Sequence, residues 1–330
     1  MNRIKILIIR FSSIGDIVLT TPIVRALKNC VKNVELHYLT KPENETLLKN
    51  NKYIDKLHLL KNDLSETTDE LSKEEFGYVV DLQKNLRSLR IKKALGVRAS
   101  SFPKLNIRKW LFVNLKLQCM PAIHIVDRYF EAVRDLEVVN DGKGLDYFLQ
   151  EADFVDCETL PAGFQSGYVA CVVGSKHATK QMPTDLMADL CRKIQKPIIL
   201  LGGKGDRDKA AIIGQQVGAK VFNACGNYNI NQSAYLVKNA LGIITPDTGL
   251  MHIAAAFDKN IIAVWGNTVP QFGMYPYRAA NAKGKTYNFE VKNLHCRPCS
   301  KLGYAECPKK HFRCMLGQDT DKIAEIANAW

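Results

Sequence analysis

Long apolar runs are absent from this sequence. No stretch approaches the roughly 18 apolar residues that a membrane-spanning helix needs. Near the N-terminus, the apolar run at residues 6–9 stops at Arg10, so it is too short for the hydrophobic core of a signal peptide. A buried strand is the better interpretation of such a short run, and we expect a cytoplasmic protein.

The glycine-rich turn of a dinucleotide-binding site is also missing. In nicotinamide and flavin enzymes, the first strand runs into G-x-G-x-x-G. Here the strand predicted at Ile4–Ile9 is followed by Phe11–Asp16 (FSSIGD), which has a single glycine. This argues against an oxidoreductase. The turn instead offers the carboxylate of Asp16, which could act as a general base toward a hydroxyl group or could only cap the following helix.

Acidic residues are scarce in two parts of the chain. Residues 82–126 contain ten lysines and arginines and no acidic residue, and residues 166–330 carry 21 basic against 11 acidic residues out of a net charge of +13. Such regions attract phosphorylated ligands, nucleic acid or anionic membranes, although a basic helix can also be merely solvated. Because no ribonucleoprotein motif or zinc-finger helix is present, we expect no nucleic-acid partner.

The sequence does contain a strand–helix alternation that occurs twice. Its 330 residues are 46% hydrophobic and 24% charged, which suits two globular domains. The alternation predicts parallel β-α units in each half, and the acidic, loop-forming segment 140–166 separates them. We therefore predict an α/β fold of two doubly wound parallel sheets that face a cleft, with domains at 1–155 and 166–330. A final helix at 320–330 could return to the first domain.

Two polar loops of the second half follow predicted strands, where parallel sheets bind ligands. The loop at 174–183 carries Ser175 and Lys180, and a lysine beside the amides of a helix start is a common phosphate site. The loop at 202–206 ends in Asp206, which could reach a ribose hydroxyl.

A third loop, Thr245–His252, has the strongest pattern. Gly249 lets the backbone approach a ligand closely, and the amides after Thr248 could hold a diphosphate at a helix N-terminus. His252 could donate to a phosphate oxygen or could be a packed, partly buried histidine. Because the three loops fall in the half with the charge surplus, they indicate a nucleotide-diphosphate site.

These motifs together carry a resemblance to a known family. The sequence resembles glycosyltransferase family 9, the ADP-heptose:lipopolysaccharide heptosyltransferases, over essentially its whole length. The first and last matching segments are the most specific. The segments are Phe11–Pro22 (FSSIGDIVLTTP), Val80–Ser88 (VDLQKNLRS), His124–Tyr129 (HIVDRY), Lys180–Pro183 (KQMP) and Pro246–Ala256 (PDTGLMHIAAA).

The resemblance implies a GT-B fold and an inverting, metal-independent transfer without a cofactor. A heptose-like sugar would pass from a nucleotide diphosphate, with ADP-heptose as the donor that the resemblance implies, to a lipopolysaccharide-core or related anionic glycolipid. Asp16 matches the catalytic base, and Met182 departs from the tryptophan that the family commonly has there. The implied donor-binding residues are Ser175, Lys180, Asp206, Asp247, Thr248, Gly249, Leu250 and His252. The implied acceptor-binding residues are Ser13, Gly15 and Arg87.

Ten cysteines are present. The C-x2-C pair of the C-terminal cluster is typical of zinc, but the spacing of the second pair is looser than usual. Structural zinc, a disulfide or thiol pair and simple packing all stay open for this cluster, which consists of Cys296, Cys299, Cys307 and Cys314. Six further cysteines are expected to be small buried hydrophobes: Cys30, Cys119, Cys157, Cys171, Cys191 and Cys225.

Two alternative functions stay open besides sugar transfer. The first is a non-catalytic protein that binds nucleotide sugars or anionic polysaccharide, and the second is another GT-B or epimerase-like enzyme. Asp16 beside an intact donor motif favours the transferase. Its expected partners are the nucleotide-sugar donor, the anionic glycolipid acceptor and the inner face of the inner membrane. The basic stretch at 82–126 would face either the anionic acceptor or the membrane surface that presents it.

Overall fold

The computed structural model describes residues 3–330, apart from the side chain of Cys157. Its strands are β1 (Ile4–Ile9), β2 (Val34–Thr40), β3 (Lys56–Leu59), β4 (Tyr78–Asp81), β5 (Ala99–Ser101), β6 (Val169–Val172), β7 (Ile198–Leu201), β8 (Val221–Asn223), β9 (Gly242–Pro246), β10 (Asn260–Trp265) and β11 (Thr286–Glu290). Its helices are α1 (Ile14–Val18), α2 (Thr21–Cys30), α3 (Leu64–Ser72), α4 (Leu86–Leu95), α5 (Asn106–Leu115), α6 (Ile125–Phe130), α7 (Thr184–Lys193), α8 (Arg207–Val217), α9 (Ile230–Asn239), α10 (Gly249–Ala256), α11 (Arg313–Leu316) and α12 (Thr320–Asn328).

The first compact unit comprises the chain up to Lys104 together with Ile123–Phe148 and Tyr277–Asn281. Its sheet has the order β3-β2-β1-β4-β5, and every recorded pairing is parallel. The buried parts of β1 and β4, at 6–9 and 78–80, are apolar because parallel sheets are covered on both faces. The strand order reverses between β1 and β4, and the loops at such a reversal are where doubly wound sheets bind ligands.

A buried arginine of α2 holds the segment 141–146 of this unit against that helix. The side chain of Arg25 is 3% exposed, and it donates to both carboxylate oxygens of Asp141 at 2.8 Å. It also pairs with Asp146 and donates to the carbonyl of Gly144 at 2.8 Å. Gly144 has φ +72, and a Cβ there would lie 2.7 Å from the nitrogen of Ala279, so the position needs glycine.

The second compact unit comprises Leu105–Ala122, Leu149–Pro276 and Ala282–Trp330. Its sheet has the order β11-β10-β9-β6-β7-β8, again with parallel pairings. Numbered from β6, this is the 3-2-1-4-5-6 order of a dinucleotide-binding fold. The order reverses between β6 and β9, so the loops after these two strands share the expected ligand-binding edge.

The compact units and the domain limits predicted from the sequence differ at α5. Residues 105–122 precede the predicted boundary, yet they belong to the second unit because Phe112 packs against Val269 and Phe272. The last helix, α12, packs on α7 of the second unit. Trp330 lies against β9, where a Cβ on Gly242 would be 2.4 Å from its ring.

Two predicted helices are each divided in the structure. The helix expected at 17–27 is split into α1 and α2, because Pro22 lies in the first turn of α2, where proline is tolerated, and would break a continuous helix. The helix expected at 127–136 is α6 followed by a 3-10 helix, Glu131–Leu136. Within the described residues, no helix is both long and apolar enough to cross a membrane.

Candidate active site

The turn after β1 is fixed from both sides. The N–H of Phe11 donates to the side-chain oxygen of Gln83 at 3.0 Å, and the carbonyl of Phe11 accepts from the side-chain amide of Asn44 at 2.9 Å. Gln83 follows β4 and Asn44 follows β2, which are the two strands that flank β1. The backbone that carries Asp16 is therefore held by side chains of both neighbouring loops.

Both carboxylate oxygens of Asp16 are engaged. Oδ1 lies 2.7 Å from a guanidinium nitrogen of Arg10, and Oδ2 accepts from the N–H and the hydroxyl of Ser13 at 3.1 and 2.7 Å. The side chain is 21% exposed, and an ionised carboxylate has about four lone-pair sites. Asp16 thus caps α1 through Ser13, as the simpler interpretation expects.

Arg10 orients Asp16, and the sequence analysis missed this role. Its side chain is largely buried, donates to the carbonyls of Leu82 and Ser12 at 2.5 and 2.9 Å, and lies 3.2 Å from the hydroxyl of Tyr129. Burial is the largest single effect and lowers the pKa of Arg10, but the charge of Asp16, the neighbouring tyrosines and the hydrogen bond to Asp16 together outweigh burial and raise the pKa. An arginine directly after a buried strand was the available signal, because buried charges need partners.

The residues expected to contact the acceptor lie on adjacent loops of the first sheet. Ser13 is the N-cap of α1, and Gly15 is buried in its first turn. Arg87 is exposed in the first turn of α4, directly after the β4 loop. Because β1 and β4 are paired in parallel, the fold brings Asp16 and Arg87 to the same sheet edge. Their contact with an acceptor stays a prediction.

A lysine–aspartate–threonine network occupies the edge of the second sheet. Nζ of Lys180 lies 2.5 Å from Oδ2 of Asp247, and the hydroxyl of Thr268 donates to the same oxygen at 3.1 Å. The two charged side chains are 15% and 14% exposed. Lys180 follows β6, Asp247 follows β9 and Thr268 follows β10, so the network joins three strand ends. Thr268 was not identified from the sequence.

The start of α10 lies beside this network. Thr248 is its N-cap, with its hydroxyl 3.0 Å from that of Thr245. Gly249 and Leu250 are the first helical residues, whose N–H groups lack partners inside a helix and attract anions. His252, one turn further, is 1% exposed, which agrees with the packed-histidine alternative.

Asp206 reaches the loop that follows β6. Its Oδ2 accepts from the N–H of Gly203 at 2.8 Å, and a Cβ on Gly174 would lie 2.0 Å from that oxygen. The two loops can approach this closely because position 174 has no side chain. Ser175 is half-buried, and its carbonyl accepts from the side chain of Gln181 at 2.8 Å. Asp206 and Ser175 thus lie on neighbouring loops of one unit.

Lys209 closes the loop after β6, and it is a second residue that the sequence analysis missed. Its ammonium donates to the carbonyl of Met182 at 2.7 Å, and to the carbonyl of Val173 and the side chain of Gln181 at 3.3 Å. Burial lowers the pKa of Lys209, against the opposing charge of Asp206. Met182, which replaces the family's usual tryptophan, is buried in the core of this unit.

The segment that carries the cysteine cluster supports the same edge. Arg297 is 6% exposed, donates to the carbonyls of Gly266 and Thr268 at 2.6 and 3.0 Å, and pairs with Glu290 at 3.1 Å. Because Thr268 donates to Asp247, Arg297 holds the turn that positions the network. Arg297 therefore gives this segment a structural role.

All four thiols of the cysteine cluster are free, which argues against the disulfide alternative. Burial raises the pKa of Cys299 to about 12, with the neighbouring Cys296 adding to the effect, and burial raises the pKa of Cys314 to about 11. Protonated thiols at neutral pH suit packing, and the zinc alternative stays a prediction.

The expectation for the scattered cysteines is confirmed in part. Cys171, Cys191 and Cys225 are buried. Cys30 is exposed because it ends α2, so that expectation was wrong, and Cys119 is only half-buried. The side chain of Cys157 lies outside the described residues.

Comparison with known proteins identifies the family. The family model for glycosyltransferase family 9 (heptosyltransferase) matches residues 66–303, which include the donor loops and begin after the Asp16 turn. Lipopolysaccharide heptosyltransferase 1 of Campylobacter coli is 24% identical over 292 residues, which cover 80% of this chain and 84% of that protein.

Two solved structures share the fold. The family 9 glycosyl transferase of Veillonella parvula has a TM-score of 0.76 at 18% identity, covering 100% of this chain and 97% of that one. The ADP-heptose lps heptosyltransferase II of E. coli has a TM-score of 0.73 at 16% identity, covering 99% and 98%. The GT-B fold and a glycosyltransferase activity follow, and the chain belongs to glycosyltransferase family 9, the heptosyltransferase family.

Proposed function

We propose that this enzyme transfers a heptose-like sugar from a nucleotide diphosphate, with ADP-heptose as the first candidate, to a lipopolysaccharide-core or related anionic glycolipid. The observation that supports this most directly is the network of Lys180, Asp247 and Thr268 at the start of α10. It combines a fixed cation with helix amides, which suits a diphosphate. The similarity in fold to the ADP-heptose lps heptosyltransferase II of E. coli supports the choice of donor.

Lys180 is proposed to neutralise the leaving diphosphate. An ammonium group has three N–H donors. Asp247 accepts from Lys180 with its carboxylate at 2.5 Å and with its carbonyl at 3.4 Å, so a third donor can reach a phosphate oxygen. Asp247 is best understood as the group that aims Lys180, because a carboxylate in direct contact with phosphate would be repelled. The amides of Gly249 and Leu250 would complete the anion site, and this arrangement would serve without a metal.

Asp16 is proposed as the base of an inverting displacement. The acceptor hydroxyl would give its proton to the carboxylate while its oxygen bonds to the anomeric carbon. The bond between that carbon and the diphosphate oxygen would break, and its electron pair would leave with the nucleotide. Attack from the opposite face inverts the anomeric configuration. Arg10 and Ser13 would hold the carboxylate in the orientation that this step needs.

The proposal is tested with the substitution Asp16→Asn. ADP-heptose and a heptose-free core glycolipid are incubated with the enzyme, and mass spectrometry detects the glycosylated product. We expect at least a 100-fold loss of turnover, in the range of a lost general base, with ADP affinity within about twofold of wild type. Ser13→Ala is the comparison variant: it weakens the positioning of Asp16 and keeps the base, so we expect a smaller loss of turnover than in Asp16→Asn.

Full activity of Asp16→Asn would refute the catalytic role. Donor binding by the wild-type protein without any product would favour the non-catalytic binding protein, and an altered sugar nucleotide without a glycosidic product would favour the epimerase-like enzyme. Calorimetry with ADP, UDP and GDP identifies the nucleotide, and tighter binding of UDP or GDP would exclude ADP-heptose.

We further propose that the enzyme works at the anionic inner face of the inner membrane, through α5. Ile107, Trp110 and Leu115 are each more than half exposed on this helix, while Phe112 on its other side packs against Phe272 with ring centroids 5.7 Å apart. The surrounding stretch 82–126 has no acidic residue. Apolar side chains with a tryptophan among basic residues are typical of interfacial helices.

Vesicle sedimentation tests this surface. We expect the full chain to sediment with vesicles that contain phosphatidylglycerol and not with phosphatidylcholine alone, because anionic lipid attracts basic segments. The double substitution Ile107→Ser and Trp110→Ser should abolish sedimentation, whereas Leu302→Ser, which removes another exposed apolar side chain, should not. Equal sedimentation of all variants would contradict the proposal.

A further inference from the structure

The first sheet holds a second cluster of side chains suited to chemistry, away from the Asp16 turn. His37 in β2 and His58 in β3 meet across the parallel strand pair, with Nδ1 of His37 2.8 Å from Nε2 of His58. Glu74, shortly after α3, completes the group, and one ligand atom from each of the three residues lies within 4.8 Å of the others. Two imidazoles and a carboxylate are a common ligand set for borderline divalent cations.

The hydrogen bonds determine which ring nitrogens carry protons. Nε2 of His37 lies 3.0 Å from a carboxylate oxygen of Glu35, and an ionised carboxylate can only accept, so this nitrogen is protonated. In a neutral ring, Nδ1 of His37 is then the acceptor, and the proton between the two rings belongs to His58. Glu35 thus leaves Nδ1 of His37 with a lone pair that faces His58.

We propose that a divalent cation of the Zn²⁺ class replaces this proton and is bound by Nδ1 of His37, Nε2 of His58 and the carboxylate of Glu74. Zn–N bonds are about 2.0–2.1 Å long and the preferred geometry is tetrahedral, so the two nitrogens would separate to about 3.3 Å. His58 would then carry its proton on Nδ1. The hydrogen bond from His37 to Glu35 is the carboxylate–histidine–metal arrangement that orients metal ligands.

The surroundings give a cation access to the site. His58 lines a surface depression of about 600 Å³ whose wall also carries three acidic residues, Asp63, Glu66 and Glu70, and one lysine. An acidic wall raises the local cation concentration. Glu74 pairs with Lys5 at 2.9 Å and also with Lys56. The side chain of Lys5 is 30% exposed and that of Lys56 is 53% exposed. Both lysines can therefore turn to water when a cation binds.

The ion would have a structural role. His37 is fully buried, and the edge of Phe76 packs against its ring with centroids 5.0 Å apart. A cation bound here would connect β2, edge strand β3 and the segment after α3. It would take no part in sugar transfer, so the inference goes beyond the proposed function and does not depend on it.

The test uses the full chain, reduced, treated with chelator and titrated with CoCl₂ and then ZnCl₂. We expect one equivalent of Co²⁺ to give visible ligand-field bands without the near-ultraviolet charge-transfer band of a thiolate–cobalt bond, and Zn²⁺ to displace it and raise the melting temperature. His58→Gln should weaken binding at least 100-fold. Glu35→Gln, which touches no metal, should weaken it about 10-fold. Cys299→Ser is the control and should bind as wild type.

Three outcomes of the titration would contradict the proposed metal site. Absence of saturable binding would overturn the proposal, and so would bound cobalt with a thiolate band that is lost in Cys299→Ser, because the metal would then sit in the cysteine cluster. Binding that survives His58→Gln unchanged would also overturn it. The Glu35 variant keeps the test valid if the His58 variant misfolds. The melting temperature of the metal-free Glu35 variant is compared with that of the metal-free wild type, and an unchanged value shows that weaker metal binding does not come from loss of the fold.

Discussion

The proposal that Asp247 acts through Lys180 leads to a double-mutant cycle on nucleotide binding. The two charged groups are 2.5 Å apart and about 85% buried, so neither can be changed without affecting the other. Lys180→Met removes the cation and keeps most of the side-chain volume. Asp247→Asn keeps the shape and removes only the charge that aims the ammonium group. Both variants and their combination are titrated with ADP by calorimetry, in a buffer that contains a chelator.

The expected sizes follow from the contacts. A hydrogen bond to a charged group contributes about 1.5–3 kcal/mol, so Lys180→Met should weaken ADP binding about 10- to 100-fold. Asp247→Asn leaves the ammonium group present but poorly oriented, and we expect a loss of about 3- to 10-fold. Without Lys180 nothing is left to orient, so the double variant should bind within about twofold of Lys180→Met.

Additive losses would refute this reasoning. If the double variant were weakened by the product of the two single effects, Asp247 would contact the ligand independently of Lys180. Tighter binding by Asp247→Asn would refute it as well, because repulsion of the diphosphate would then outweigh orientation. Thermal melting of each variant without ligand separates these effects from loss of the fold.

Other contacts give three further predictions. Arg10→Lys keeps the charge but loses the planar fork, so turnover should fall about 10-fold in the product assay while ADP affinity stays unchanged; equal losses in both would point to misfolding. Gly174→Ala places a methyl group 2.0 Å from the carboxylate of Asp206. We expect this contact to lower the free energy of unfolding by about 1–3 kcal/mol, measured by thermal melting. Gly205→Ala is the control and should melt as wild type, because no atom lies within 4 Å of a Cβ at that position. The hydrogen bonds that Asp141 accepts from Arg25 lower the pKa of Asp141 in the folded protein. The carboxylate therefore adds to the free energy of unfolding at any pH above its unfolded-state pKa of about 3.9. This contribution is lost as the pH falls toward the lower folded-state pKa. Asp141→Asn should flatten this acid-side loss in urea titrations below about pH 4, and an unchanged slope would contradict the assignment.

The central strands could be predicted because a strand buried on both faces must be an apolar run. The sequence predicts strands at 4–9, 78–82, 168–173, 197–201, 241–245 and 261–265. The corresponding strands β1, β4, β6, β7, β9 and β10 begin and end within two residues of these limits. The short outer strands β5, β8 and β11 were missed, since an edge strand can be polar and gains its structure from pairing. The helix α5 was missed because several of its apolar residues are exposed, so no single buried stripe marks it.

The candidate site was predictable where it depends on position after a strand. Parallel strands of one sheet deliver their following loops to the same edge of that sheet. The sequence could therefore place Asp16 at the edge of the first sheet, and Lys180 and Asp247 at the edge of the second. The residues that orient them could not be placed in this way. Thr268 reaches Asp247 from 21 residues away along the chain, and nothing in a local pattern reports such a contact. Arg10 was visible in the sequence, but its pairing with Asp16 depends on the folded turn.

The assignment of α5 to the second unit has a practical consequence for dissecting this enzyme genetically. The backbone passes between the two units after Lys104, Ala122, Phe148, Pro276 and Asn281. A gene cut in the segment 149–166 would therefore encode a C-terminal fragment without α5, whose Phe112 would no longer cover Val269 and Phe272. The N-terminal fragment would carry α5 with its apolar side uncovered. A fragment of the second unit that is designed to fold alone would need residues 105–122 attached to it. A fragment of the first unit would need a short loop in place of those residues.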